Sequence, residues 1–144
     1  MLYNKAVKKV VQKICAAGVI LHGGKVLIIQ RSSDDEAFPG LWELPSGKQE
    51  SLETTIDAVK REVKEETGLN VEVDRIVGSF KFKVEKEDEI RDVTQISFLV
   101  KPVDSVEVKL SSEHQNFAWI TKDEIDNYNL SEETKGVIRK AFRA

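Results

Sequence analysis

The sequence predicts an α/β (α+β) fold in which a mixed β-sheet lies between helices. Three observations predict it: two apolar, β-type segments near the start, one long helical pattern in the middle, and further strand and helix patterns after it. Strands on both sides of a single long helix, followed by terminal helices, are typical of a mixed-sheet sandwich. The 144 residues contain no repeats, low-complexity tracts or linkers, so we expect one domain over residues 1–144.

Strand and turn signals alternate in the first third of the chain. Ile14–Leu21 is apolar and partly β-branched, a pair of glycines follows, and Lys25–Gln30 resumes the pattern. This order predicts two strands joined by a tight turn. The polar segment Arg31–Gly40 indicates a loop, and a short apolar segment, Leu41–Leu44, comes after it.

A helical period replaces the strand pattern over Ser51–Thr67. Ile56, Val59 and Val63 recur at i, i+3 and i+7 and form one apolar stripe. The serine that opens the segment is expected to cap the helix, and Gly68 supplies its C-terminal stop.

Three strands and two helices are predicted in the remaining half, with the charged segment Glu85–Asp92 as an exposed turn. The predicted strands are Val71–Val84, Val93–Val103 and Phe117–Ile120. The predicted helices are Lys122–Asn127 and Glu132–Phe142, the second capped by Ser131.

The composition describes a globular chain without a field that attracts polyanions. Hydrophobic residues make up 40% and charged residues 33% of the chain, and the net charge is -3. A chain of this charge has no overall basic field for a nucleic-acid backbone, so we expect no nucleic-acid polymer as partner. An anionic ligand would instead require cations placed locally.

The N-terminal segment does not predict export or membrane insertion. Lys5, Lys8 and Lys9 resemble the basic start of a signal peptide, but Lys13 interrupts the apolar stretch, which is far shorter than the roughly 20 residues of a membrane helix. Cys15 is the only cysteine, so no intramolecular disulfide can form, and we expect it to be a buried structural thiol. These features predict a cytoplasmic protein with no membrane partner.

Three glutamates of the predicted central helix share one face. At about 100° per residue, Glu65 and Glu66 fall within roughly 60° on either side of Glu62, while Arg61 and the lysines are expected on the far side. Like charges at this spacing repel, although a glutamate-rich fragment of this kind by itself is most often only a solvated face. Clustered carboxylates fit a hard divalent cation, because Mg²⁺ takes oxygen ligands and is often shared with phosphates.

The spacing around these glutamates resembles the signature of the Nudix hydrolase family at every fixed position. A chance match of the seven fixed identities is on the order of one in 10⁸. The segment before it resembles the MutT-like branch, although Ser46 stands where that branch usually has glycine. The matching residues are Gly47, Glu53, Arg61-Glu62, Val63, Glu65-Glu66 and Gly68-Leu69.

The resemblance implies a Nudix-type α-β-α sandwich with a loop-helix-loop metal site. Its expected metal ligands are Glu62, Glu65, Glu66 and the backbone carbonyl of Ser46, and its cofactor is Mg²⁺, with Mn²⁺ able to substitute. Water would attack one phosphorus while the metal neutralises phosphate charge. Arg61 would orient the glutamates by ion pairing, and the loop at the helix mouth can redirect Glu53 towards them.

Three further residues are candidates for the same site. In MutT-like relatives a glutamate before a Trp-containing strand faces the helix glutamates, and Glu113 stands at this distance from Trp119. Glu113 would complete the metal shell or take the proton of the attacking water. Together with Glu65 and Glu66 it would form the set of catalytic residues. The alternative interpretation is that Glu113 is a solvated residue of the loop. Arg31 and Lys48 are the expected substrate-binding cations, and the alternative for Arg31 is a surface arginine.

The resemblance narrows the substrate to a nucleotide. Segment 78–88 lacks the proline or tyrosine of the branches that act on ADP-ribose and dinucleoside polyphosphates, so hydrolysis of a nucleoside triphosphate to monophosphate and pyrophosphate is the leading hypothesis. The alternatives are an ADP-sugar or other dinucleotide pyrophosphatase, a non-hydrolytic nucleotide-binding module and a prenyl diphosphate isomerase, for which Cys15 is poorly placed. Strict specificity for an oxidised guanine is not expected, and the protein is expected to be a monomer or homodimer.

Overall fold

A mixed seven-stranded sheet flanked by two helices forms the computed structural model, which describes residues 7–144. Lys5, weighed above for an export signal, lies outside the described residues. The strands are β1 (Lys9–His22), β2 (Lys25–Arg31), β3 (Trp42–Glu43), β4 (Ser46–Lys48), β5 (Val71–Glu85), β6 (Glu89–Pro102) and β7 (His114–Ile120). The helices are α1 (Thr55–Thr67), a 3₁₀ helix (Lys122–Asn127) and α2 (Glu132–Arg143).

The centre of the sheet is a parallel pair of long strands. β1 runs parallel to β6 from Lys9 beside Glu89 to Ile20 beside Val100, and β5 pairs with the other side of β6. The strand order is β3-β2-β1-β6-β5, with β4 added to β1 and β7 added to β2. β1 therefore pairs with three strands, β2, β4 and β6, and joins the two halves of the sheet.

The sheet separates two apolar layers, so the predicted sandwich is confirmed. Side chains alternate across a strand, and successive residues of β1 enter opposite layers. The layer under α1 contains Ala16, Ile20, Leu27, Ile29, Val59, Val63, Phe98 and Val100. The layer under α2 contains Ala17, Val19, Val26, Ile28, Leu44, Leu99, Val137 and Ile138.

Some strands extend beyond their predicted boundaries because polar residues at their ends also form backbone pairs with a neighbouring strand. β1 begins at Lys9 and β6 at Glu89, because these polar ends pair with each other in the parallel ladder. The charged turn is therefore confined to residues 86–88. β4 was not predicted, since its three residues read as loop and become a strand only by pairing with β1.

Helix α1 begins later than its sequence pattern predicts. Thr54, and not Ser51, is the N-cap, and its hydroxyl accepts from the Asp57 backbone N at 3.1 Å. Leu52, with φ 68, is in the left-handed region and keeps the preceding segment in a turn. Ile56 then lies in the first turn and is 50% exposed, so that of the predicted apolar stripe Val59 and Val63 are buried and Ile56 is not. Gly68, with φ 76, ends the helix as predicted.

The described residues include no helix that is long and apolar enough to cross a membrane.

Candidate active site

Strand β4 holds its backbone against the carboxylate of Glu62 on α1. A Cβ added at Gly47 would overlap that carboxylate, so only glycine permits the approach. The antiparallel ladder with β1, in which Ala16 pairs with Gly47 and Ala17 with Ser46, fixes the strand in this place. The fixed glycine of the signature therefore has a steric cause in this chain.

Arg61 lies among the glutamates. Its guanidinium donates to both carboxylate oxygens of Glu53, at 2.7 and 2.9 Å, and to Oε1 of Glu62 at 2.7 Å. It also donates to the carbonyl of Lys48 at 2.9 Å and lies 3.3 Å from Oε2 of Glu65. The expectation that Arg61 points to the far side of the helix is wrong, because its long side chain folds back across Glu62.

Glu53 enters this cluster from the turn before α1. Its Oε1 accepts from the Glu50 backbone N at 3.0 Å, and its other contacts go to Arg61. The hydrogen bonds from Arg61, and then the one from the Glu50 backbone, lower the pKa of Glu53 to about 2. Glu53 is therefore the ionised partner that holds the guanidinium in place.

Glu66 is the buried carboxylate of the cluster. Oε1 accepts from the Ser46 backbone N at 2.9 Å, which links α1 to β4 a second time. Burial, with smaller contributions from the charges of Glu43, Glu62 and Glu113, raises the pKa of Glu66 to about 9, although the hydrogen bond from Ser46 lowers it. Burial also raises the pKa of Glu62, opposed by Arg61. The raised pKa values mean that the cations near Glu62 and Glu66 do not fully compensate the burial of these carboxylates.

Glu65 and Glu113 face the same region from more exposed positions. The Glu65 side chain is exposed at the surface of α1. Glu113 lies just before β7, and its backbone carbonyl accepts from the Ser32 backbone N at 3.0 Å, which ties its loop to the end of β2. The charge of Glu113 is a minor cause of the raised pKa of Glu62 and of Glu66.

The donor set has the chemistry of a hard-cation site. Carboxylate oxygens are the ligands that Mg²⁺ takes, and a buried, uncompensated carboxylate such as Glu66 is stabilised by a nearby cation. Within residues 7–144, no three acidic, histidine or cysteine side chains are already gathered in positions that could hold a metal ion. The pairing of Glu62 with Arg61 and the exposure of Glu65 account for this spread.

The contacts of Arg31 differ from those of a free phosphate-binding cation. Its guanidinium donates to Asp35 at 2.7 Å and to both oxygens of Glu43, at 3.1 and 3.2 Å. Glu43 also lies 2.9 Å from Nε2 of the buried His114. Arg31 therefore lies at the site with its charge shared between two carboxylates.

A cavity of about 530 Å³ extends from β4 across the sheet to β5 and the start of α2. Its wall combines charged and aromatic residues, and Cys15, expected to be buried, is half-buried in it. The end formed by β4 and the end of β2 includes Arg31, Glu43, Ser46, Gly47 and Lys48. Phe80 and Phe82 line the cavity at β5 beside Lys83, and Phe38 and Trp42 line it at β3 and the loop before that strand. Its polar residues include Gln95 and Thr134.

Two residues of this region were missed by the sequence reasoning. Glu43 lies within the short segment Leu41–Leu44, and only the folded register, which pairs β3 with β2, brings it to Arg31. Gln95 carried a usable signal, because it is a large polar residue on the strand face that also carries the apolar Val93 and Leu99.

Comparison with known families and proteins gives consistent results. The model of the NUDIX domain matches residues 13–141. The chain is 36% identical over 123 residues to a MutT-like protein from Streptomyces ambofaciens, covering 85% of this chain and 72% of that protein. It is 30% identical over 135 residues to nucleoside triphosphatase NudI from Enterobacter sp. (strain 638), covering 86% of this chain and 92% of that protein.

Solved structures share the fold over nearly the whole chain. The MutT protein from Methanosarcina mazei Go1 superposes with a TM-score of 0.72 at 27% identity, covering 96% of this chain and 97% of that one. The Escherichia coli ORF135 protein superposes with a TM-score of 0.71 at 27% identity, covering 95% and 93% of the two chains.

Proposed function

Because this chain belongs to the NUDIX family of hydrolases, we propose that it cleaves a nucleoside triphosphate into a nucleoside monophosphate and pyrophosphate. Mg²⁺ is the proposed cofactor, with Mn²⁺ able to replace it. The relative named nucleoside triphosphatase NudI, 30% identical to this chain, supports the substrate class. The proposed partner is a free nucleotide and not a nucleic-acid polymer, in keeping with the net charge of -3.

The cavity is the observation that carries this proposal. It connects a charged end, lined by Arg31, Glu43 and Lys48, with an aromatic surface formed by Phe80 and Phe82. A phosphate chain suits the first end, because Arg31 and Lys48 are cations and because β4, which lines this end, also contacts Glu62 and Glu66 of α1. A nucleobase suits the second, since bases stack on aromatic side chains. A nucleotide satisfies both ends with one molecule.

Glu62 and Glu66 are the residues that would hold the metal most directly, because β4 fixes both between strand and helix. Glu65 would join them from the exposed face of α1, and the carbonyl of Ser46 would add a backbone oxygen. Bound Mg²⁺ neutralises phosphate charge and makes a coordinated water more acidic. Glu113, whose charge raises the pKa of both carboxylates, is the proposed acceptor of the proton released by the attacking water.

The cations of the site have separate proposed roles. Arg61 is a positioning residue, since its nitrogens are occupied by Glu53, Glu62 and the Lys48 carbonyl. The Lys48 ammonium lines the cavity and is the proposed contact of the phosphate chain. Arg31 lines the same end and would contact phosphate while its remaining nitrogens orient Glu43.

A substrate panel tests the proposal. Nucleoside triphosphates, ADP-ribose and a dinucleoside polyphosphate are each incubated with protein and Mg²⁺, and both products are identified by chromatography. The proposal predicts the highest kcat/KM for a triphosphate, with monophosphate and pyrophosphate as products. Preferred release of AMP from ADP-ribose would contradict the substrate class and leave the family assignment intact.

A further inference from the structure

Four adjacent strands place one side chain each in a row along the floor of the cavity. Cys15 of β1 is paired with Lys48 of β4 on one side and with Gln95 of β6 on the other. Gln95 is in turn paired with Phe80 of β5, and all four residues line the cavity. Lys48 and Gln95 are two strand spacings apart, or about 10 Å. The row therefore leads from Lys48 on β4 to the aromatic side chains on β5.

The side chain of Gln95 is the unpaired polar group in this row. It is 8% exposed, and the exposed part faces the cavity. None of the side-chain hydrogen bonds among the described residues involves its amide. Its amide atoms are not buried away from solvent, so the amide is free to pair with a polar group that enters the cavity. Ser97, two residues along on the same face, is fully buried, so no ligand in the cavity reaches it.

The surroundings of Gln95 suit a flat, polar-edged ring. Phe80 and Phe82 form one aromatic surface beside it, with ring centroids 6.1 Å apart and planes tilted by 39°. Phe38 and Trp42 belong to the same cavity. A ring stacked on these side chains would lie with its edge towards the amide, whose oxygen accepts and whose nitrogen donates.

We propose that Gln95 is a specificity-determining residue that hydrogen-bonds the edge of the nucleobase. The inference rests on the proposed nucleotide substrate and names the atoms that recognise it. The amide pairs with a base that offers a ring nitrogen next to an exocyclic amino or oxo group. It therefore distinguishes a nucleotide with such an edge from an analogue that lacks the exocyclic group.

The test measures equilibrium binding of nucleoside monophosphates by calorimetry in the presence of EDTA. The variants are Gln95→Met, which keeps the length but removes both polar atoms, and Gln95→Asn, which keeps the amide but shortens its reach. Gln12→Met makes the same exchange at an exposed strand position outside the cavity. Melting curves check that each variant folds.

Wild type should bind the best of the four monophosphates about 10- to 100-fold more tightly than its analogue without the exocyclic group. Gln95→Met and Gln95→Asn should bind the two ligands within about threefold of each other, while Gln12→Met behaves as wild type. The inference is overturned if Gln95→Met retains the wild-type discrimination, or if wild type binds none of the four monophosphates. The proposed function would fail in a different way: wild type would still discriminate the two ligands in binding but would not hydrolyse nucleoside triphosphates in Mg²⁺.

Discussion

Replacing Arg61 by methionine should destabilise the metal-free protein because Arg61 neutralises glutamates that the fold holds together. The guanidinium makes two bonds to Glu53, one to Glu62 and one to the Lys48 carbonyl. The methionine keeps the packing of the aliphatic stem and removes every donor. The carboxylates would then remain against one another without their shared cation.

The magnitude follows from the burial of the partners. A fully exposed ion pair contributes about 0–1 kcal/mol, whereas removing one partner of a buried pair costs about 3–5 kcal/mol. The side chain of Arg61 is 25% exposed and that of Glu62 is 12% exposed, which places the pair between these limits. We expect a loss of about 2–3 kcal/mol, or about 6–9 °C in Tm for a domain of this size.

The assay is thermal and denaturant unfolding in EDTA at low ionic strength. Arg75→Met is the matched control, because Arg75 pairs with Asp74 at 2.9 Å in an exposed position and should cost under about 1 kcal/mol. Arg61→Lys should recover only part of the loss, since lysine keeps the charge without the planar fork. Equal shifts for the Arg61 and Arg75 variants would refute the reasoning.

Three further predictions concern the remaining carboxylates. Glu66→Gln, and likewise Glu62→Gln, should lower kcat by orders of magnitude. In EDTA the Tm should stay unchanged or rise for Glu66→Gln, because burial already disfavours the charge of Glu66, and should fall for Glu62→Gln, which loses the ion pair with Arg61. A variant within about tenfold of wild type, roughly 1.4 kcal/mol of barrier, is not a principal ligand. Glu113→Gln should lower kcat strongly at saturating Mg²⁺ and unchanged Tm, whereas wild-type rates at every pH and metal concentration would make it a solvated loop residue. The hydrogen bond from Arg31, with those from the Phe38 and Ala37 backbones, lowers the pKa of Asp35 to about 2. The difference in free energy of unfolding between wild type and Asp35→Asn should therefore be constant above the ordinary pKa of 3.8 and disappear as the pH falls towards 2. A difference in free energy of unfolding that does not change with pH would contradict the pairing.

The fold could be predicted where the local pattern and the tertiary structure agree. The apolar runs of β1 and β2, the stop at Gly68 and the cap at Ser131 are local features, and the structure confirms them. β4 could not be predicted, because its three residues are a strand only through the ladder with β1.

The site could be predicted in its acidic centre but not in its surroundings. Helical spacing grouped the glutamates of α1, since that grouping depends only on residues close in sequence. The placement of Arg61 depended on the path of a flexible side chain, which helical spacing does not determine. Glu43 and Gln95 reach the site through strand register, and register is set by pairing between distant segments.

The most direct test of the central claim is the release of pyrophosphate from a nucleoside triphosphate as the metal is removed and restored. Wild-type protein is first assayed in excess EDTA and then titrated with Mg²⁺, with product identity followed by chromatography. The carboxylate cluster predicts no turnover in EDTA and full recovery with Mg²⁺, with monophosphate and pyrophosphate formed in equal amounts. Undiminished turnover in excess EDTA would contradict the claim.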